Sequence, residues 1–327
     1  MRILLIKVSS LGDVVHAMPV VRDILAAHPQ ARIDWVVEEG FVDLVSLVRG
    51  VDGIIPFALR RWRKTPFSAR TRSEFMAFRA RLRRERYDCV IDAQGLVKTA
   101  LIGAMARGPV AGLGNRTEGS GYEPLAKLFY DRCIRIEPHI HVITRGRELA
   151  ARALGYALPE TLDFGMRAEP LPEFTGPDMP PYVALVHATS RADKGWPADH
   201  WIALGAELAA AGYRLVLPWG GAAEKEAAQA LADGLAAKGA RAEVLPKMNL
   251  RHIAGLLAGA AAVVGVDTGL IHMAAALDRP TVELYNFDTA WRTGGFWSAR
   301  VVNLGGAGRT PSVSEVRGSL RGLGLLA

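Results

Sequence analysis

Cysteine is nearly missing from this chain: Cys89 and Cys133 are the two in 327 residues, and neither sits in a metal-type or redox-type spacing. A disulfide framework is therefore not expected, and Cys89, inside the apolar run 87–92, reads as a small buried hydrophobe in a reducing compartment. Also lacking is any stretch of 18 apolar residues, so no spanning helix is expected. The apolar start Met1–Val8 runs straight into Asp13 and His16 without a small-residue cleavage site, unlike a secretory leader. No Asp-x-Asp occurs, and no His, Cys and Asp residues share a metal-ligand spacing, so no essential metal is expected. The dinucleotide fingerprint G-x-G-x-x-G is absent as well; Gly112-Leu113-Gly114 lacks its third glycine. Heptads and solenoid repeats are missing too.

What is present is apolar and basic. Half the residues are hydrophobic, enough to bury two cores, and the net charge is +7. That excess points to an acidic partner: nucleic acid, an anionic membrane or a phosphorylated substrate.

Short apolar runs alternate with helical patterns. In the first half the runs are 3–8, 33–37, 53–56 and 89–92, with helices expected over 14–27, 72–86 and 142–154. Gly155 then suits a helix C-cap. Six prolines, at 159, 170, 172, 177, 180 and 181, interrupt the rhythm. Strands are expected again over 183–187, 215–218, 242–245, 262–266 and 281–285, with helices between them. This alternation predicts an α/β protein of two doubly wound, parallel-sheet, Rossmann-like domains facing a cleft, spanning 1–165 and 182–327, with a linker over 166–181. Ligands in such sheets bind beyond the carboxyl ends of the strands.

Chemistry-bearing residues cluster at those ends. Asp13 follows the first strand in Ser9-Ser10-Leu11-Gly12-Asp13 and has two readings: a helix cap, or a base that takes a proton from a hydroxyl. His16 reads as a half-buried helix residue. In the second half, Thr189, Ser190 and Lys194 offer hydroxyls and a cation after a strand, and suit phosphate as well as they suit a polar helix-capping loop. Asp267-Thr268-Gly269-Leu270 ends a buried strand and opens a helix whose free amides can hold a diphosphate. His272 follows one turn later and is equally a core-facing histidine. Glu224, after Trp219-Gly220-Gly221, fits either a sugar-hydroxyl acceptor or a first-turn charge.

A basic belt opens at Arg60-Arg61-Trp62-Arg63-Lys64 and continues through Arg86, opposed only by Glu74 and Glu85. It reads as a solvated face, as a bidentate phosphate or carboxylate site, or as a patch for an anionic leaflet with Trp62, Phe67, Phe75 and Phe78 at the interface. Nucleic acid ranks lower because no nucleic-acid motif accompanies it.

These strings together resemble the ADP-heptose glycosyltransferases over nearly the whole length. The markers are Lys7-Val8-Ser9-Ser10-Leu11-Gly12-Asp13-Val14-Val15-His16, then Arg60 to Lys64, then Asp267-Thr268-Gly269-Leu270 with His272 and Ala274-Ala275-Ala276. The resemblance implies a GT-B fold and inverting transfer of L-glycero-D-manno-heptose from ADP-heptose onto the first Kdo of Kdo-lipid A. It makes Asp13 the base. Thr189, Ser190, Lys194, Glu224, Met248, Asp267, Thr268, Gly269, Leu270 and His272 become donor-site residues, and Arg60, Arg61, Arg63 and Lys64 acceptor contacts. No cofactor is implied beyond the co-substrate, and the expected location is the cytoplasmic face of the inner membrane. The segment 115–122 departs from the family pattern. The alternatives are a relative that adds the second heptose, and a non-enzymatic nucleotide or polyanion binder.

Overall fold

The chain is described from a computed structural model, which covers residues 1–189 and 191–326. It divides into two compact units, Met1–Met166 and Arg167–Ala327.

The first unit runs β1 (Arg2–Ile6), α1 (Leu11–Ala27), β2 (Arg32–Glu38), α2 (Val42–Val45), β3 (Gly53–Phe57), α3 (Leu59–Trp62), α4 (Ala69–Leu82), β4 (Cys89–Asp92), α5 (Val97–Met105), β5 (Val110–Leu113), β6 (Arg132–Ile134) and α6 (Val142–Leu154). All its strand pairs are parallel, in the order β3-β2-β1-β4-β5-β6. The central strands are buried on both faces because helices cover both sides, which is why they read as unbroken apolar runs.

The second unit runs β7 (Tyr182–Val186), α7 (Ala198–Ala210), β8 (Arg214–Leu217), α8 (Ala222–Ala236), β9 (Ala242–Val244), α9 (Leu250–Gly259), β10 (Ala262–Val266), α10 (Gly269–Ala276), β11 (Thr281–Tyr285), α11 (Ala290–Thr293), β12 (Val301–Gly305) and α12 (Val313–Gly322). Its sheet is parallel as well, in the order β12-β11-β10-β7-β8-β9. Both units therefore have the Rossmann order, with the strand order reversing between β1 and β4 in one and between β7 and β10 in the other.

The expected linker 166–181 does not hang free. Phe174 is buried against Tyr182, ring centroids 5.7 Å apart, and the Arg214 guanidinium lies over both rings and donates to the Phe174 carbonyl at 3.0 Å. Gly255 on α9 leaves room for the Glu169 carbonyl, which stands 2.8 Å from where a Cβ would be. The prolines exclude regular structure, but the apolar residues between them bury against the second unit. Three strands lie outside the expected runs. β5, β6 and β12 are short or carry glycine and polar residues, and β6 and β12 are sheet edges.

Candidate functional site

At the switch point of the first unit, β1 delivers Lys7 to Ser10 and β4 delivers Asp92 to Gly95. Ser10 is the N-cap of α1 and Asp13 its third residue, in a capping box. Asp13 Oδ2 accepts from the Ser10 N–H at 3.0 Å and the Ser10 hydroxyl at 2.8 Å, while Oδ1 accepts from Lys7 Nζ at 3.2 Å. Asp13 therefore caps the helix as its third residue and not as the N-cap, which is Ser10, and it does so with one oxygen. The side chain remains 36% exposed, so the carboxylate is within reach of a ligand. Burial pushes the carboxyl up, but Lys7, the Ser10 bonds and the His16 charge outweigh it and hold Asp13 well below the ordinary carboxylate range. His16 is buried rather than half-buried, its ring edge-on to His141 at 6.3 Å.

Gln94 was not legible as a functional residue. Its Oε1 accepts from the Val8 and Ser9 N–H groups at 3.0 and 3.3 Å, and its Nε2 donates to the Ser9 carbonyl at 2.6 Å. One amide side chain thereby fixes the backbone that presents Asp13. Gln94 is itself set by Asp92, a fully buried carboxylate that accepts from the Gln94 and Gly95 amides, Thr99 and Tyr130.

The basic belt separates into two kinds of residue. Arg60, Arg63 and Lys64 are exposed. Arg61 is tied down: it donates to both oxygens of Glu39 at 3.0 and 2.9 Å and to Glu74 at 2.5 Å, which joins α3 to α4. The aromatics expected at an interface divide as well. Trp62 and Phe78 are buried and pack with Phe57, whereas Phe67 is 92% exposed and Phe75 is at the surface. Trp62 and Phe78 are core because their side of α3 and α4 faces β3.

At the switch point of the second unit the loops after β7 and β10 meet. Lys194 Nζ donates to Asp267 Oδ2 at 2.5 Å, joining the two strand ends. Asp267 Oδ1 lies 3.2 Å from His272 Nε2. Burial pushes the Asp267 carboxyl up, but His272 and Lys194 hold it well below its ordinary range. Burial pushes His272 down, yet its two carboxylate neighbours Asp267 and Glu283 raise it to about 9. Thr268 is the N-cap of α10 but its side chain caps nothing, and among the described residues its buried hydroxyl oxygen has no hydrogen-bond partner. An uncapped helix start, an orphan hydroxyl and a lysine make a seat for phosphate oxygens.

The other residues expected at the donor site are at the start of α10 or follow strand ends of the same sheet. Gly269 and Leu270 begin α10 and are half-buried. Thr189 follows β7, and its hydroxyl accepts from the Arg191 N–H at 3.4 Å. Ser190 lies outside the described residues. Glu224 caps its own helix: Oε2 accepts from the Gly220 and Gly221 amides at 2.6 and 3.3 Å. Met248 is half-buried in the loop between β9 and α9. Asn286 Nδ2, which sequence reasoning passed over, holds the Lys194 loop by donating to the Asp193 and Gly195 carbonyls at 3.1 and 2.8 Å. Among the described residues, no three His, Cys, Asp or Glu side chains are grouped to hold a metal, and no helix is long and apolar enough to cross a membrane.

Residues 75–319 match the profile of glycosyltransferase family 9 (heptosyltransferase). The chain is 45% identical over 303 residues to lipopolysaccharide heptosyltransferase 1 of Escherichia coli strain K12, covering 92% of this chain and 93% of that one. It is 43% identical over 303 residues to the Pseudomonas aeruginosa protein of the same name, covering 92% and 83%. The solved structure of E. coli heptosyltransferase WaaC with ADP superposes with a TM-score of 0.87 at 41% identity, over 99% of this chain and 100% of that one. The two Rossmann-like units are those of a GT-B fold, and the chain belongs to glycosyltransferase family 9, the heptosyltransferases.

Proposed function

We propose that this glycosyltransferase moves L-glycero-D-manno-heptose from ADP-heptose onto the first Kdo of Kdo-lipid A, with inversion at the anomeric carbon. The observation that carries this reading is the Lys194–Asp267 pair at the uncapped start of α10. It offers an ammonium, free amides and an unpartnered threonine hydroxyl to a diphosphate. The relatives at 43–45% identity bear the name of the first heptosyltransferase, which favours the first-heptose acceptor over an already heptosylated one.

In this reading the acceptor hydroxyl bonds to the anomeric carbon as the bond from that carbon to the ADP oxygen breaks. The bonding electrons leave with ADP, and the hydroxyl proton passes to Asp13 Oδ1. A carboxylate held so acidic is a weak base for a ground-state alcohol. It is effective only late, when the new bond makes the hydroxyl proton acidic, and it is ionised and ready at every physiological pH. Negative charge growing on the diphosphate meets Lys194 and the α10 amides, so no metal is required for that step. Thr189, Ser190, Glu224, Met248, Leu270 and His272 complete the donor site, and Arg60, Arg63 and Lys64 take the anionic acceptor. Arg61 contributes by holding α3.

The belt also supports a place on the cytoplasmic face of the inner membrane. Residues 60–86 hold eleven basic and two acidic side chains, a net +9, so the rest of the chain is net negative against a total of +7. Such a segment is drawn to an anionic leaflet by about 1 kcal/mol per basic residue near the surface. The deciding experiment is incubation with ADP-heptose and delipidated Kdo-lipid A, following ADP release and product mass. An added heptose on that acceptor is the expected result. Turnover confined to an acceptor that already carries heptose, or no turnover at all, defeats the proposal.

A further inference from the structure

Glu283 lies in the middle of β11 with no solvent exposure. A carboxylate there is expensive unless it is paired and hydrogen-bonded. Its Oε2 accepts from the Tyr285 hydroxyl at 2.7 Å and from the Gly295 N–H at 3.3 Å. Its Oε1 stands 3.6 Å from His272 Nδ1. His272 Nε2 is 3.2 Å from Asp267 Oδ1, and Asp267 Oδ2 receives Lys194 at 2.5 Å. Carboxylate, imidazole, carboxylate and ammonium therefore follow one another from the core to the start of α10.

A neutral imidazole has one N–H and turns a lone pair on the other nitrogen. Between two carboxylates, that lone pair faces an oxygen whichever tautomer forms. With both nitrogens protonated the charges alternate along the whole row: Asp267 lies within hydrogen-bond distance of one N–H, and Glu283 faces the other as an ion-pair partner at 3.6 Å. We propose that Glu283 is a positioning residue of the donor site: it keeps His272 doubly protonated, and the imidazolium fixes Asp267 so that Lys194 is held where the diphosphate binds. The second half of this statement rests on the donor-site reading above.

Among the described residues, the charged groups against His272 include Asp267 from the β10–α10 loop, Glu283 and, through it, Tyr285 from β11, with Lys194 beyond Asp267. Burial lowers the imidazole's proton affinity, and the two carboxylates more than restore it, to about 9. Loss of that proton leaves two carboxylates against one ammonium beside the diphosphate seat. ADP affinity then falls at alkaline pH.

The test is a histidine NMR titration of the full-length protein without ligand, run beside calorimetric ADP binding across the same pH range. Wild type is expected to show a His272 midpoint near 9 and ADP binding that weakens about tenfold as that proton leaves. In Glu283→Gln the midpoint is expected to drop by roughly one pH unit or more, taking the ADP transition with it. Tyr285→Phe removes a bond to Glu283 but keeps the carboxylate, so its midpoint is expected at or above the wild-type value. A wild-type midpoint in the ordinary imidazole range overturns the proposal, whether or not Glu283→Gln folds. So does a midpoint unmoved in Glu283→Gln, or one lowered equally in Tyr285→Phe. If wild type binds no ADP at any pH, the diphosphate reading fails, and the ligand-free titration still decides whether Glu283 sets the charge of His272.

Discussion

Lys7 Nζ sits 3.2 Å from Asp13 Oδ1, with the lysine side chain only 4% exposed and the aspartate 36%. The pair is lopsided: its cation is sealed in the first unit, and its anion reaches the surface. Burial disfavours the Lys7 ammonium and holds it below its ordinary range, and Asp13 offsets that only in part. The lysine therefore holds Asp13 in place and lowers its basicity at once. The geometry trades proton affinity for a fixed, always ionised oxygen.

The first prediction follows from that oxygen. Asp13→Asn keeps size and a side-chain acceptor for Ser10 but cannot take a proton. Steady-state rates are expected to fall by about 10²–10⁴, the usual worth of a positioned base. ADP binding by calorimetry is expected to stay within about twofold, because Asp13 belongs to the first unit and the diphosphate seat to the second. Near-normal turnover by Asp13→Asn ends the base assignment. Lys7→Met, in the same assay, is expected to bring the acid limb of kcat/KM upward toward the ordinary carboxylate range.

A second prediction concerns Gln94. Its amide satisfies the Val8 and Ser9 N–H groups and the Ser9 carbonyl together. Gln94→Ala leaves these groups without that partner and frees the loop before α1. Each lost hydrogen bond costs about 1 kcal/mol in stability. The expected signature is a kcat reduced about tenfold or more with ADP affinity retained, since a small misplacement of a reacting group is expensive. Equal damage to ADP binding would show that Gln94 acts through the whole fold and not through the Asp13 loop.

The belt yields a third prediction, and it differs from one drawn on charge alone. Arg60, Arg63 and Lys64 are open to solvent, whereas Arg61 bridges Glu39 and Glu74. Neutralising the three exposed residues together is expected to raise the acceptor KM about tenfold or more and to flatten its salt dependence, without moving thermal stability. Arg61→Ala is expected to lower the melting temperature slightly, because both of its ion pairs are partly exposed and screened by solvent. Melting curves and acceptor titrations at two ionic strengths separate these outcomes. An Arg61→Ala protein of normal stability that has lost only acceptor affinity would place Arg61 with the other three.

The sequence carried the architecture further than it carried the roles of single side chains. β4, β10 and β11 coincide with their apolar runs because central parallel strands must be apolar on both faces. β6 has two exposed residues of three and lacks that signature, whereas β5 is apolar and buried but only four residues long, with Gly112 making room for Tyr130. Asp13, Lys194 and Asp267 were legible because each follows a strand. Gln94 was not, since its bonds go to backbone that is distant in sequence. Arg61 and Arg63 look alike in the string, and only the fold brings Glu39 and Glu74 to one of them. Glu283 did leave a trace: a single carboxylate in an otherwise apolar strand, Thr281–Tyr285, must have a buried partner.

His272 supplies the last prediction, on stability. Its folded-state value of about 9 lies above the ordinary imidazole value of 6.5 that the unfolded chain restores. Folding therefore takes up a proton between those two values, and the native state is favoured most below the lower one. The stabilisation is complete below pH 6.5, declines as pH rises, and is gone above about 9. Asp267 runs the other way: its folded value is depressed, so its contribution holds through neutral pH and disappears only in strong acid. Between pH 7 and 9.5, then, the histidine governs this site, and the melting temperature of the second unit is expected to drop by several degrees. His272→Gln removes the titrating group and is expected to give a lower but flatter profile over the same interval. A wild-type melting temperature that stays constant there, or a His272→Gln profile as steep as that of wild type, would mean that the imidazole is not the group taking up the proton.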